Sequence, residues 1–144
     1  MPTLSAAAHA ILQVSGVGFW FWEPCSGQLI ASDFWKRRLG FEPEEIADGF
    51  SQWQAHVYPE DLEPVTEFMH QHARGESSAS ELQHRLLHKD GSVLWVVLRI
   101  MTFFDNKSTC AILGVHLDVT ALKHVELNLR EAQRQYRSII TNLK

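Results

Sequence analysis

The chain has 144 residues, 45% of them hydrophobic, which suits one globular domain with a substantial apolar core. Lys and Arg number 13 against 17 Asp and Glu, and the net charge of −4 argues against a nucleic-acid partner, which needs a basic surface. Cys25 and Cys110 show neither CxxC nor metal-ligand spacing, so we expect no zinc site, no disulfide framework and a reducing cytoplasm. No apolar stretch approaches the roughly 20 residues of a membrane span.

The first third of the chain predicts a short helix followed by a hairpin. Leu4, Ala8 and Ile11 stand at helical spacing before Ser15-Gly16, which predicts an amphipathic helix within residues 1–15. Residues 17–23 are rich in aromatic side chains and predict a strand, and residues 28–32 predict its antiparallel partner after a Pro-Cys-Ser-Gly turn.

The middle of the chain predicts small helices and then three strands. Gly and Pro divide residues 33–75 into short segments, and the last of these predicts a helix from about Pro59 to Gly75. Three predicted strands follow at 80–88, 92–104 and 109–119, the first two joined by Lys89-Asp90-Gly91. The order of elements predicts an α+β domain with a five-stranded antiparallel sheet and short helices on one face.

The strand at 92–104 is apolar on both of its faces. Leu94, Val96 and Leu98 alternate with Trp95 and Val97, so both faces of the sheet need cover. The short helices can cover only one face. We therefore predict that the N-terminal helix or a second copy of the chain covers the other, and that the protein is a homodimer.

The last segment, residues 120–144, has a heptad pattern. Its apolar residues step alternately by three and four positions: Leu122, Val125, Leu129, Ala132, Tyr136, Ile139 and Leu143. This pattern predicts a parallel dimeric coiled coil. The alternative is a helix packed on its own domain, which Leu127 on the opposite side keeps open. The pattern continues to the last residue, so we expect a further domain after it.

Five motifs, in order, resemble the PAS family of sensory domains. They are Trp20-Phe21-Trp22-Glu23, Leu39-Gly40-Phe41, His56-Val57-Tyr58-Pro59-Glu60-Asp61, Arg85 through Asp90-Gly91 to Trp95, and Gly114-Val115-His116-Leu117-Asp118-Val119-Thr120. The resemblance covers about residues 16–123. It implies a cap helix at 1–15, a PAS sensor domain at 16–119 and a signalling helix at 120–144.

The resemblance implies a sensor and not an enzyme. PAS modules of this kind control a histidine kinase or a GGDEF diguanylate cyclase output domain in bacterial signalling proteins, and residues 133–140 resemble the lead-in to a second PAS domain. The sequence has no Gly-rich phosphate loop, nucleophile elbow or framed carboxylate pair. Glu60 and Asp61 are interpreted as acids at a helix start.

In the family, a ligand lies between the inner sheet face and the small helices. The residues that this implies as a lining are Trp20, Trp22, Phe34, Leu39, Val57, Phe68, Leu86, Val96, Leu98 and His116. Such an apolar and aromatic lining suits a small apolar or planar ligand. The alternative is that the two indoles simply fill the core.

Neither of the two cofactors common in the family matches the sequence. Light-sensing relatives need a reactive Cys within a helical Asn-Cys-Arg motif, and both cysteines here lie outside the helical segment, which excludes adduct photochemistry. Leu86, Val96 and His116 stand where flavin-binding relatives carry amides, which argues against flavin. Pro64 stands where haem-binding relatives carry an axial His, which argues against haem, and His70 and His72 are interpreted as surface residues.

The histidines give no metal site but one candidate contact. His84 and His88 would lie about 13 Å apart on a strand, too far to share an ion. His116 is a lone ionisable group on the predicted inner face, where burial would lower its pKa or where it would bind a polar group of a ligand. The alternative is a core histidine satisfied by a neighbour.

Asp118, Thr120 and Lys123 lie where the last strand meets the terminal helix. Thr120 is a predicted N-cap, and the family pattern implies a pair between Asp118 and Lys123 that ties strand to helix. We expect this junction to transmit a change in the sheet to the coiled coil, and ordinary capping is the alternative. Two functions follow: a sensor of a small molecule, or a ligand-free dimerisation and protein-interaction module.

Overall fold

The computed structural model describes residues 18–47, 49–76, 81–105 and 108–143, and the predicted helix within residues 1–15 lies outside them. The strands are β1 (Gly18–Glu23), β2 (Gln28–Ala31), β3 (Glu81–Leu87), β4 (Val93–Asp105) and β5 (Ser108–Asp118). The helices are α1 (Asp33–Arg38), α2 (Phe50–Gln54), α3 (Leu62–Ala73) and α4 (Thr120–Asn142), with 3-10 turns at Pro43–Glu45 and Pro59–Asp61.

The five strands form one antiparallel sheet in the order β2-β1-β5-β4-β3. The first strand therefore lies in the interior of the sheet, paired with the last. This confirms the predicted α+β class and the five-stranded antiparallel sheet. The hairpin signal between β3 and β4 was also right: Gly91 adopts φ +89° in the turn, and the backbone N–H of Ser92 donates to the Asp90 carboxylate at 2.8 Å.

The inner face of the sheet, which faces the short helices, is set by the register between β1 and β5. Trp20 lies opposite Gly114, and the missing side chain leaves room for the indole to lie against the strand. A Cβ on Gly114 would approach the Trp20 ring to 2.2 Å, so only glycine fits there. Alternation from Trp20 then places Trp22, Ile112 and His116 on the same face.

One contiguous hydrophobic core lies between this inner face and α1, α2 and α3. Its largest fully buried side chains include Trp20, Trp35, Leu29, Met69 and Leu86. An isolated bridge between Val57 and Leu86 ties the segment before α3 to the sheet. The small helices are therefore fastened to the sheet by backbone bonds as well as by apolar packing.

Asp61 does more than begin a helix, which corrects its interpretation from the sequence. Its carboxylate accepts two hydrogen bonds from the Arg85 guanidinium, at 2.7 and 2.9 Å, and one from the Arg85 backbone N–H at 2.8 Å. The hydrogen bonds from Arg85 lower the pKa of Asp61. Glu60 is only a distant partner at 3.7 Å. The pair holds the start of α3 against β3.

The outer face of the sheet and the terminal helix expose apolar side chains. On the outer face, Leu117 and Met101 are 42% and 60% exposed. Helix α4 leaves the sheet after β5 and has no buried residue. The side chains at its seven heptad positions are all exposed. None of the helices in the described ranges combines the length and apolarity of a membrane span.

Candidate functional site

Five aromatic rings from five different elements meet in the middle of the core. We call this group the aromatic cluster: Trp20 of β1, Trp35 of α1, Trp53 of α2, His84 of β3 and His116 of β5. Trp35 stacks on His116 with ring centroids 4.5 Å apart, and the two imidazole centroids are 5.8 Å apart. The cluster lies where the family resemblance placed a ligand.

Helix α1 brings Trp35 into the cluster and leaves Phe34 outside. The Ser32 hydroxyl accepts hydrogen bonds from the backbone N–H groups of Trp35 and Phe19, at 3.3 and 3.2 Å, which caps α1 and ties it to β1. This start turns Trp35 toward the sheet, whereas Phe34 is 42% exposed. The prediction that Phe34 lines the core was therefore wrong by one residue.

His84 is the residue that the sequence interpretation missed. It was weighed only as a metal ligand together with His88, but it is buried and lies opposite Val96 on the inner face. His116 lies opposite Leu98, so the two imidazoles lean toward each other across β4. The signal was present in the sequence, because alternation from Leu86 places His84 on the same face.

The nitrogen atoms of this region lack well-formed hydrogen bonds. The buried atoms without a well-formed hydrogen bond among the described residues are the indole Nε1 atoms of Trp20, Trp22, Trp35 and Trp53 and the ring nitrogens of His84 and His116. His84 has a weak backbone partner in Leu82, which acts to raise its pKa. An unmade buried hydrogen bond costs about 1–3 kcal/mol. Six such rings would offset much of the roughly 5–15 kcal/mol by which a domain is stable. Native cores contain few such groups, so these need a partner.

Both histidines of the cluster are held neutral. Burial lowers the pKa of His84 to about 4. Burial also lowers the pKa of His116 well below its ordinary value, and the neighbouring His84 lowers it further. Each ring therefore presents one N–H donor and one nitrogen acceptor at neutral pH. This answers the question left by the sequence: His116 is a core histidine, but no described neighbour satisfies it.

The other predicted lining residues are buried around the cluster. Trp22, Leu39, Val57, Phe68, Leu86, Val96 and Leu98 all belong to the hydrophobic core. A small cavity of about 20 Å³, room for about one water, touches Trp35 and Trp53. An open groove of about 180 Å³ reaches His116 from the outside, past Phe34 and Arg38.

His70 and His72 of α3 lie in different surroundings. His70 is exposed as predicted and stacks on Phe50. His72 was predicted at the surface but is buried, with Nδ1 3.5 Å from the Thr102 hydroxyl, because α3 turns this position toward β4. In the described part of the chain, no three His, Cys, Asp or Glu side chains are grouped to hold a metal ion.

The junction between β5 and α4 differs from its prediction in its partners. Asp118 forms an ion pair with Arg38 of α1, not with Lys123. Burial raises the pKa of Asp118, but hydrogen bonds from Thr120 and Arg38 outweigh it and lower the pKa overall. Lys123 instead pairs with Glu126 at 3.7 Å and lies 4.8 Å from the Trp95 ring centroid.

Thr120 is the first helical residue and not the N-cap, which is Val119. The Thr120 hydroxyl donates a hydrogen bond to Asp118 at 2.6 Å and accepts one from the Trp95 backbone N–H at 3.0 Å. Thr120 therefore fastens the first turn of α4 to β4 as well as to β5. The junction was placed correctly, and the sequence could not show that Arg38, eighty positions earlier, completes it.

An aromatic site between an antiparallel sheet and small helices defines a sensory type of domain, and comparison with known proteins gives the family. The model of the PAS fold matches residues 28–116, more than half of the chain. The chain belongs to the PAS family. This confirms the resemblance read from its motifs.

Curated relatives are similar to this chain over most of its length. A blue-light-activated histidine kinase of Brucella ovis is 29% identical over 125 residues, 87% of this chain and 24% of the relative. The Brucella anthropi protein of that name is 26% identical over 116 residues, 81% of this chain and 23% of its own length. The chain thus spans about a quarter of these curated relatives.

Two solved structures share the fold at 21% identity. One is a sensory box histidine kinase/response regulator from Burkholderia thailandensis, with a TM-score of 0.73 over 90% of this chain and 97% of that one. The other is the N-terminal domain of a diguanylate cyclase with a PAS/PAC sensor from Marinobacter aquaeolei, with a TM-score of 0.66 over 75% and 98%.

The buried imidazoles predict that stability falls in mild acid. The folded-state pKa of His84 lies below the unfolded value of 6.5, so the unfolded state binds more protons once the pH drops below about 6.5. Between about pH 7.5 and 5.5, His84 alone should lower the free energy of unfolding by about 1 kcal/mol, and His116 should add to this. Urea unfolding at the two pH values measures the loss.

A His84→Leu, His116→Leu double variant should lose most of this pH dependence. The matched control is His70→Leu, which removes an exposed histidine and should keep the wild-type dependence. If the double variant weakens with acid as much as the wild type does, the two imidazoles are not the groups that titrate.

Proposed function

We propose that this PAS domain senses a small molecule that binds in the aromatic cluster, and that it passes the signal through α4 to an output domain. The observation that carries the proposal is the set of unpartnered nitrogen atoms on Trp20, Trp35, Trp53, His84 and His116. A bound molecule would supply their missing hydrogen bonds. The relatives named as histidine kinase and diguanylate cyclase support one of these two activities as the output.

The second candidate function is a ligand-free module for dimerisation and protein interaction. The observation that favours it is the tight packing of the core, because the cavity beside Trp35 and Trp53 has a volume of only about 20 Å³. Under this alternative, water would satisfy the nitrogen atoms. A cavity of that size holds about one water molecule, too few for six rings. It has no room for a larger ligand either, so the sensor proposal requires Trp35 and His116 to part when the ligand binds.

Blue-light chemistry is not part of the proposal, despite the name of the Brucella relatives. Cys25 is exposed in the turn between β1 and β2, and Cys110 lies within β5. Neither stands in the helical segment where light-sensing PAS relatives carry their reactive thiol. The proposed stimulus is therefore a bound molecule, and the proposed compartment is the cytoplasm.

A short chain of contacts links the cluster to α4. Trp35 stacks on His116, and Arg38, one turn further along α1, pairs with Asp118 two residues after His116. Asp118 in turn accepts two hydrogen bonds from Thr120 at the start of α4. A ligand that parts Trp35 from His116 would move α1, and Arg38 would carry that movement to the root of α4.

The partner proposed for α4 is a second copy of the same helix. Its heptad residues are exposed along its whole length, whereas Thr120 and Lys123, in its first turn, contact Trp95 of β4. A parallel coiled coil would bury Leu122, Val125, Leu129, Tyr136 and Ile139 against their counterparts. The exposed apolar side chains on the outer sheet face give a second surface for the same dimer.

Native mass spectrometry of the protein purified from cells tests the sensor proposal directly. We expect a mass above that of the chain, from a retained small molecule that is lost on unfolding. Protein that carries the chain mass alone, and binds nothing from a cell extract, would favour the ligand-free module.

Breaking the junction should loosen the root of α4. In Asp118→Asn the ion pair with Arg38 is lost and the bonds to Thr120 are weakened, a loss of about 1–2 kcal/mol, or roughly tenfold in local opening. We expect amide hydrogen exchange at residues 120–123 to be roughly tenfold faster. Glu126→Gln, on the same helix, is the control. Equal protection in the two variants would rule out this junction as the coupling element.

Breaking the seam should separate the dimer. Sedimentation at tens of micromolar is expected to show a dimer for the wild type and a monomer for Leu129→Lys, because the ammonium would be buried in the seam. Leu127→Lys places the same charge on the opposite side of α4 and should remain dimeric. A monomeric wild type would contradict the dimer itself.

A further inference from the structure

The unpartnered nitrogen atoms of the core are mostly donors. The four indole groups of Trp20, Trp22, Trp35 and Trp53 can only donate, and each neutral imidazole offers one donor and one acceptor. The Leu82 backbone is a weak partner of His84, so at least five free N–H donors remain in the region against two acceptors. A molecule that satisfies it must be rich in hydrogen-bond acceptors.

The charges around these donors do not oppose an anion. The cluster itself carries no acid, and none of the described residues that line the small cavity is an acid. The acid that acts on His84 is Asp61, and its carboxylate is held by Arg85. In the groove that reaches His116, the acid is Asp118, which is paired with Arg38. A negative group on a ligand would therefore meet no free negative charge.

The shape of the site favours a planar ring. Trp35 and His116 lie nearly parallel, with 18° between their planes, and Trp22 stacks on Phe50 in the same manner at 4.6 Å. A flat aromatic ligand could stack on either ring of such a pair at a similar spacing. The groove past Phe34 and Arg38 gives such a molecule a way toward His116.

We propose that the aromatic cluster binds a planar aromatic carboxylate, whose oxygens accept hydrogen bonds from His84, His116 and the indole groups beside them. The inference rests on the proposed sensory function and names the chemical class of its ligand. A carboxylate has about four acceptor positions on two oxygens, which suits a site with an excess of donors.

Three probes of similar size test this class: benzoate, benzamidinium and toluene. Each is titrated into the protein while the indole N–H signals of its five tryptophans are followed by NMR. Trp95 lies outside the cluster, under Lys123 and Arg85, and serves as an internal control. We expect benzoate to shift the signals of Trp20, Trp35 and Trp53 in a saturable manner and to leave that of Trp95 in place.

Variants test whether benzoate binds through hydrogen bonds from the imidazoles or only because its apolar ring is buried. His84→Leu and His116→Leu should each weaken benzoate binding at least tenfold, whereas His72→Leu, which changes another buried histidine, should leave it within twofold. Trp35→Phe keeps one ring in the stack, but it removes the N–H group together with one of the two rings of the buried indole. It should weaken binding at least threefold, and it keeps the test decisive if a histidine variant does not fold.

The outcomes separate two claims: that the ligand is an aromatic carboxylate, and that the domain binds a ligand at all. If benzamidinium or toluene binds the cluster as tightly as benzoate, the carboxylate assignment is overturned and the sensory proposal stands. Benzoate affinity that is unchanged in Trp35→Phe and in the histidine variants overturns it as well. If none of the three probes moves the cluster signals, the assignment fails, and the retained-ligand measurement decides separately whether the sensor fails with it.

Discussion

The pairing of β1 with β5, with Trp20 lying against Gly114, is the constraint on which the rest of the structure depends. It brings the first and last strands together in the interior of the sheet. It also fixes the parity that turns Trp20 and His116 toward the helices. Because a side chain at position 114 would meet the indole at 2.2 Å, the contact admits one residue type. The core, the cluster and the root of α4 all take their positions from it.

Much of the sheet can be predicted from the sequence, because the alternation of side chains along a strand shows which residues share a face. Alternation along β1 and β4, with Gly in the β3–β4 turn, is a local signal, and the strands begin and end within one or two residues of their predicted limits. Helix α1 is different, because six residues are too few to define a phase. The choice between Phe34 and Trp35 was made by the Ser32 cap, a contact with β1 that composition does not reveal.

Interactions between distant residues were the least predictable. The partner of Asp118 is Arg38, and that of Asp61 is Arg85; each pair joins elements that only the folded chain brings together. His84 was missed for another reason, since a polar residue on an apolar face contradicts the usual pattern. Places where a local rule is broken without local compensation are typical of functional sites. Four indoles and two imidazoles buried together break that rule in one place.

Helix α4 has a mechanical consequence. It is 23 residues long, about 34 Å at 1.5 Å per residue, and it is held at one end by the bonds of Thr120 to β4 and β5. In the proposed signalling path, it would act as a lever that pivots at the sheet. A tilt of about 5° at the root, an adjustment of tenths of an ångström among packed side chains, would displace the far end by about 3 Å. If the proposed path holds, the displacement at the far end would depend on the length of the helix as much as on the extent of change around the ligand.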